Sequence, residues 1–442
     1  MFIVKKFAIV GASGRGYLSY ARALARSNTD YSVVNNLDYG GLPEFYNEFI
    51  QSSELVGVCD TNIGRARFVG NSVGVPAYDD FDTMLNETKP DCVIVTTTDY
   101  AHADYIVRAL DAGCDVFTEK PMCINATQCR AILEAEKRNN RKIGVCFNMR
   151  YNNYVIQLKE LVESGAIGEI YNVHFEWLLT KDYSAGHSGH GASYYRRWNA
   201  YMDQCGGLLL TKSTHHFDFV NWLIGGRPKR VSAFGKLRHY GKAGAFRGER
   251  CSNCEHTQKC PYYFKPNELQ TAMYMDNEQY DGYKCDRCVF DEAIDSYDTM
   301  AINVEYDNGI LMAYSESSCA MYEGFKLFIN GSEGRLEAQI CSNGGLRSGE
   351  KIDFIRIIKV GDGQIITLDK PKAKSGDHGG SDDAFRRVLF LNEDPQIESQ
   401  KASAVDGAYS ILIGAAANES IATGKIIDID ELIGDASLLD RW

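Results

Sequence analysis

Proline is scarce, with 9 in 442 residues, and there is neither an internal repeat nor a low-complexity tract. That excludes Pro-rich linkers, collagen-like chains and solenoids. No apolar run reaches the roughly 18 residues that a membrane helix needs. Positive charge is short as well: 47 Lys and Arg against 59 Asp and Glu leave a net charge of -12. Nucleic-acid binding draws on a basic face that neutralises phosphates, so this balance argues for a small-molecule partner instead. The opening Met1-Phe-Ile-Val-Lys-Lys-Phe-Ala-Ile-Val10 runs into a glycine turn with no small-residue cleavage site between. It reads as a strand rather than a signal peptide, and a cytoplasmic location is expected.

The composition that remains is that of a globular protein, 44% apolar and 24% charged, long enough for two or three domains. Fourteen cysteines in a large cytoplasmic chain are expected to be mostly reduced core residues, with clustered ones as metal candidates. Residues 1–148 alternate short β-branched runs with helical stretches, the pattern of a parallel sheet covered on both faces. Phe7–Val10, Leu55–Cys59, Cys92–Thr96, Asp115–Thr118 and Ile143–Phe147 are the expected strands; Tyr17–Arg26, Phe81–Glu87, Ala103–Ala112 and Ala126–Asn139 are the expected helices. Residues 28–52, around Asp38-Tyr-Gly-Gly-Leu-Pro43, read as an insertion.

In residues 149–442 the segments Tyr171–Leu178, Val231–Leu237, Met300–Tyr306 and Ile310–Ser315 predict an open, mainly antiparallel sheet in an α+β domain. Asp307-Asn308-Gly309 is a hairpin signal. The alanine-rich stretch 403–423 predicts a helix stopped by Gly424. An open sheet face needs covering, so a homo-oligomer, a dimer or tetramer, is expected.

After the first strand comes Gly11-Ala12-Ser13-Gly14-Arg15-Gly16. Aligned with G-x-G-x-x-G it keeps the first and third glycines and puts Ser13 in the middle, so this turn, Arg15 included, is expected to carry a dinucleotide pyrophosphate at a helix N-terminus. Asp60 ends the second strand, where a carboxylate accepts from ribose hydroxyls and repels a 2′-phosphate; NAD is therefore expected over NADP. Glu119-Lys120-Pro121 follows the fifth strand. A lysine beside a nicotinamide can carry the proton that leaves a hydroxyl when its carbon gives up hydride, provided burial and neighbours lower its pKa.

With Thr96-Thr97-Thr98-Asp99-Tyr100-Ala101-His102 after the fourth strand, Glu119-Lys120-Pro121, Leu161-Val-Glu-Ser-Gly-Ala-Ile-Gly168, Gly206-Gly207 with His215 and Asp218, and His378-Gly-Gly-Ser-Asp382, the chain resembles the Gfo/Idh/MocA oxidoreductases. The resemblance covers nearly the whole chain. It implies an N-terminal Rossmann doubly wound parallel sheet followed by the α+β domain, with Lys120 as the catalytic lysine. It also implies Glu119 as a backbone-fixing neighbour, Thr97 and His102 lining the nicotinamide ribose, and Asn148 near the nicotinamide. In the family an aspartate precedes the catalytic histidine by four residues; here His215 is kept and that position is Thr211. Asp218 is a candidate to steady the His215 ring instead.

The stretch Gly186-His187-Ser-Gly-His190-Gly-Ala-Ser-Tyr194-Tyr195-Arg196-Arg197-Trp198 is glycine-rich, aromatic and basic. It fits a loop closing over a sugar, with Tyr194, Arg197 and Trp198, together with Thr211, as substrate-side residues. Cys251-Ser-Asn-Cys254, Cys260 and Cys285-Asp-Arg-Cys288 bring five cysteines into 38 residues. Two C-x2-C knuckles suit a structural zinc, assigned here to Cys251, Cys254, Cys260 and Cys288, with an iron-sulfur cluster, free thiols or disulfides as alternatives. By comparison with smaller family members, 241–295 is an insertion. The sequence thus points to an NAD-dependent oxidoreductase acting on a hydroxyl of a sugar, sugar acid or glycoside. The rival readings are a redox-neutral NAD-dependent glycoside hydrolase or lyase and a non-catalytic sensor.

Overall fold

The structure, a computed structural model, describes residues 4–25, 46–181, 189–342, 349–371 and 377–440. Six strands, β1 (Lys5–Val10), β2 (Ser53–Cys59), β3 (Ala77–Tyr78), β4 (Cys92–Val95), β5 (Asp115–Thr118) and β6 (Ile143–Val145), form one sheet in the order β3-β2-β1-β4-β5-β6. All its pairs are parallel. Phe7, Ala8, Ile9 and Val10 are wholly buried, as expected of an unbroken apolar run with helices on both faces. The order reverses at β1, so the crevice for a ligand opens at the carboxyl ends of β1 and β4.

The helix expected over 17–26 is irregular: Gly16–Ala21 winds as a π-helix and Arg22–Leu24 as a 3-10 turn. In this wider winding Tyr17, Ser19, Tyr20 and Ala21 are all buried. Residues 26–45, most of the expected insertion 28–52, lie outside the described residues; the remainder is a helix, Tyr46–Ser52, that leads straight into β2. The helix after β2 was not anticipated. Ile63–Val73 starts at Asn62, whose side chain accepts from the Arg65 N–H, and stops at Gly74 with φ 75°.

The second sheet holds β7 (Ile170–Thr180), β8 (Pro228–Lys236), β9 (Thr299–Tyr306), β10 (Leu311–Ala320), β11 (Glu323–Gly331), β12 (Gly334–Ser342), β13 (Phe354–Lys359), β14 (Ile365–Leu368) and β15 (Ile427–Asp428). They run in the order β14-β13-β12-β11-β7-β10-β9-β8-β15. Only β7 and β10 pair in parallel; the other pairs are antiparallel. Alternation is clean in β9, where Met300, Ile302, Val304 and Tyr306 face inward, and the Asp307-Asn308-Gly309 turn closes the hairpin with Gly309 at φ 80°.

The helix Ala404–Thr423 packs against β8, capped by the reciprocal Ser403–Asp406 box and stopped by Gly424 at φ 71°. Its Gly414 lies so close to the segment Leu208–Thr211 that a Cβ would meet the Leu209 carbonyl oxygen at 2.6 Å. That contact fixes the backbone that carries Thr211. Two later segments cross back to the first sheet. Phe385 and Phe390 of helix Ser381–Phe390, and Leu269 and Met273 of helix Glu268–Met273, belong to the same buried cluster as Phe7, Ile9 and Tyr17.

Candidate active site

The glycine turn is built as the pattern requires. Gly11 has φ 99°, and a Cβ there would meet the Thr96 carbonyl carbon at 2.4 Å; a Cβ on Gly16 would meet Thr96 Oγ1 at 2.5 Å. The first and third glycines therefore let β1, the turn and the β4 end pack together. Ser13 Oγ accepts from the Gly16 N–H at 3.0 Å. Around this turn opens a pocket of about 690 Å³, lined among others by Gly11, Ser13, Asp60, Thr97, Trp198 and Tyr274. Asp60 accepts from the Ala12 N–H (2.7 Å), the Asn62 N–H (2.8 Å) and Arg65 Nη2 (3.1 Å). Arg65 also donates to Asp281 at 2.5 Å.

Tyr274 and Asp281 come from the Cys-rich segment, which closes one side of the crevice. The Gly14 N–H donates to Tyr274 Oη at 2.7 Å, and Asn62 Nδ2 donates to the Asn277 carbonyl at 2.9 Å. Sequence reasoning missed this cover. The contact spans 260 positions, and no local pattern encodes it.

Three residues assigned to the cofactor have their polar side-chain atoms bonded within the protein. Arg15 turns from the turn toward two buried carboxylates, with Nε on Glu119 Oε1 at 2.6 Å and Nη1 on Asp382 Oδ2 at 2.7 Å. Asn148 Nδ2 donates to Asp382 Oδ1 at 2.6 Å. His102 is buried, its ring nitrogens 2.7 Å from the Pro121 carbonyl and 3.1 Å from the Thr97 carbonyl. It braces the β4 loop against the turn that carries Lys120. Glu119 also accepts from Tyr20 Oη at 2.6 Å and from the Lys120 N–H at 3.3 Å.

Lys120 reaches across to the second sheet's domain, where Nζ donates to the Thr211 carbonyl at 2.9 Å. Burial lowers its pKa below the ordinary lysine value, and the nearby carboxylates of Glu119 and Asp99 oppose that fall. Thr211 Oγ1 accepts from Asn199 Nδ2 at 3.0 Å. His215 stands on the helix Thr214–Ile224, edge-on to Phe147 at 5.9 Å, and its Nδ1 has no hydrogen-bond partner among the described residues. Burial first, then Lys120 and Lys212, hold its pKa well below the usual histidine range, so the ring is neutral. Asp218 does not steady it. Both Asp218 oxygens are taken by Arg150, at 2.8 and 2.5 Å, although burial still raises the Asp218 pKa to about 6.

On the substrate side, Tyr194 is buried beside His190, which bonds Glu323 Oε1 at 2.8 Å. Arg197 lies over the Trp198 ring at 5.2 Å, and Trp198 Nε1 donates to Asp99 at 3.1 Å. His187 lies outside the described residues. Lys212, a residue the sequence left unassigned, sits over Trp177 at 4.6 Å with its pKa lowered by burial to about 8.

The zinc expectation finds no support. Cys251, Cys254, Cys260 and Cys288 line one small cavity, yet among the described residues no group of three or more His, Cys, Asp or Glu is arranged to hold a metal ion. Among the described residues no disulfide joins any two cysteines. What orders the segment is an ionic and aromatic frame. Arg196 donates to Cys251 Sγ at 3.1 Å and to the Tyr262 carbonyl at 2.8 Å. Arg250 donates to Asp286 and Glu278, at 2.8 Å each, and Tyr240, Tyr262 and Phe290 pack edge to face.

Comparison with known proteins agrees with this architecture. Residues 5–147 match the oxidoreductase family with an NAD-binding Rossmann fold, and residues 155–337 match the GFO/IDH/MocA C-terminal domain. A putative oxidoreductase of Bacillus subtilis, YteT, is 33% identical, with 97% of this chain and 99% of that one covered. Inositol 2-dehydrogenase of Salmonella typhimurium is 36% identical over 128 residues, 28% of this chain and 38% of that one. A crystal structure of an Agrobacterium radiobacter oxidoreductase, in complex with NAD+, L-tartaric acid and magnesium, superposes with a TM-score of 0.62 at 16% identity, covering 97% of this chain and 99% of that chain; at that identity it speaks for the fold alone. A parallel sheet with its glycine turn, a lysine carried from it to a histidine-bearing second domain, and a full-length relative converge on one conclusion: the chain belongs to the Gfo/Idh/MocA family of NAD-binding oxidoreductases.

Proposed function

We propose that this protein oxidises a hydroxyl of a sugar, sugar acid or glycoside with NAD, Lys120 taking the hydroxyl proton and His215 assisting. The observation that carries the reading is the half-buried Lys120 amine, set between the two sheets' domains on the Thr211 carbonyl with its pKa lowered by desolvation. A lysine so placed is a base nearer neutral pH. The neutral, unpartnered Nδ1 of His215 suits a hydrogen bond to the same substrate. Bound NAD supplies the hydride acceptor. Asp60, Ser13 and Thr97 are the residues we assign to holding it, the Gly14 N–H being taken by the Tyr274 cover. With Arg65 committed to Asp60 and Asp281, two carboxylates rather than a free guanidinium would face a 2′-phosphate, which supports NAD over NADP.

Tyr194, Arg197 and Trp198 are assigned to the substrate, the aromatic faces against the ring and the guanidinium toward its hydroxyls. A redox-neutral cleavage, in which the hydride is returned, is favoured by one feature: the Cys-rich segment covers the crevice through Tyr274, an arrangement suited to retaining the dinucleotide between turnovers. A reducing, cytoplasmic setting, in which cysteines stay as thiols, belongs to this reading. Among the described residues no helix is long and apolar enough to cross a membrane. The test is incubation with NAD and a panel of free sugars, sugar acids and glycosides, following reduced nicotinamide and product mass together. Oxidised product with reduced nicotinamide supports net oxidation. Cleaved product without it supports the redox-neutral course, and no change in either overturns both.

A further inference from the structure

The family places a carboxylate four residues before the active-site histidine, and here that place is Thr211. A different carboxylate, Asp99, comes from the first domain to the neighbourhood of the Thr211 side chain and of Lys120. Asp99 opens the turn after β4 and is only 4% exposed. One oxygen, Oδ1, accepts from Trp198 Nε1 at 3.1 Å. The other, Oδ2, is buried without a hydrogen-bond partner among the described residues. Its neighbours Thr97, Thr98, Tyr100 and Ala101 line the crevice pocket, and its carboxylate lies near Lys120, the Thr211 side chain and His102. A buried carboxylate oxygen with no donor is costly unless something in the working state supplies one.

We propose that Asp99 is the positioning residue for Lys120, its free oxygen holding the ammonium that forms when Lys120 accepts the substrate proton. The inference rests on the reading of Lys120 as acid and base. In the step it serves, the carbinol O–H proton passes to Lys120 Nζ, the C–H bond electrons leave as hydride to NAD, and the carbinol carbon becomes a carbonyl. Asp99 is the counter-charge and neither gains nor loses a proton. Trp198 fixes the carboxylate from one side, and Asn199 on Thr211 Oγ1 fixes the backbone carbonyl that holds Lys120 in its resting position.

Charged and titratable groups surround this pair on every side. Around Lys120 these are Glu119, Asp99, Arg15 and Cys146, with Lys212 and His215 beyond. Around Asp99 they are His102 and Lys120, Cys205 and Tyr194. Burial raises the Asp99 pKa, while His102 first, then the Thr211 side chain and Lys120, oppose the rise. Removing the Asp99 charge therefore leaves Lys120 with less to hold its proton.

The experiment is competitive labelling of Lys120 with fluorodinitrobenzene across pH, read by peptide mass, in the full-length wild type, D99N, W198F and D99N/T211D, with NAD-linked turnover measured alongside. It does not require the natural substrate for its first readout. In D99N, Lys120 is expected to label roughly three- to tenfold faster at neutral pH, because more of it is unprotonated. The acid limb of turnover shifts to lower pH and the plateau rate falls. W198F, which keeps the charge, moves the labelling midpoint little, and D99N/T211D moves it back upward. A folded D99N whose labelling midpoint and acid limb coincide with those of the wild type overturns the proposal. The failure of the underlying reading looks different: K120M then keeps turnover, whatever D99N does.

Discussion

At the scale of single residues, the account depends on which neighbour wins. Lys120 is pulled down by burial and held up by Glu119 and Asp99, and burial is the larger influence. Oxidation needs the neutral amine, so turnover is expected to rise with pH through a midpoint below the free-lysine value of 10.5; a pH–kcat profile checks this, and a midpoint at or above that value contradicts it. Asp60 holds the crevice end of β2 through three donors. D60S is expected to raise the KM for NAD about tenfold and to narrow the preference over NADP, since a hydroxyl neither accepts as strongly nor repels phosphate. Initial-rate kinetics with both dinucleotides measure it. The tight turn at Gly11 and Gly16 was legible from the sequence because it follows from local backbone demands. The partners of Arg15, Asn148 and His102 within the protein were not legible, because they lie far off in sequence: Asp382 for the first two, the Pro121 carbonyl for the third.

At the scale of elements, the late helix Ser381–Phe390 is tied to the first sheet through Asp382, whose carboxylate meets Arg15, Asn148 and His378. Burial works against the charged Asp382, but Arg15 and His378 outweigh it and hold the pKa well below the ordinary carboxylate range. A depressed folded pKa contributes stability that is complete above the unfolded value near 4 and disappears as pH falls through the folded value. D382N is accordingly expected to cost about 3 kcal/mol at pH 7, and the difference from wild type should shrink in acid; urea unfolding at both pH values measures it. The Cys-rich segment makes the second prediction at this scale. Y274F removes the oxygen that accepts from the Gly14 N–H and should speed NAD release several-fold, read by stopped-flow displacement. Strands β1, β2, β4 and β5 were readable because a parallel sheet buries both faces and leaves unbroken β-branched runs. The helix Ile63–Val73 was overlooked although Asn62 and Gly74 mark its two ends. The cysteine pattern misled, because C-x2-C spacing reports which sulfurs are close in sequence, while the fold spends one of them on Arg196.

For the whole molecule, the second sheet presents Tyr171, Phe234 and Leu311 largely exposed, Phe234 at 79%, on strands of one continuous sheet. Such a face is what a second copy would cover. Sedimentation of the full chain is expected to give a dimer or tetramer, and a monomer at micromolar concentration would contradict that. The two-domain plan was legible in the switch from helix-separated strands to alternating ones. The crossings back, by residues 268–273 and 381–390, were not, because their partners are chosen by tertiary packing. The central claim is that Lys120 passes the substrate proton from its place between the two domains. The most direct measurement is single-turnover reduction of bound NAD by the best carbohydrate of the panel, in wild type and K120M, with NAD binding measured in both. The account predicts that K120M binds NAD as wild type does and loses at least about a thousandfold in the hydride step; a K120M protein that reduces NAD at the wild-type rate would contradict it.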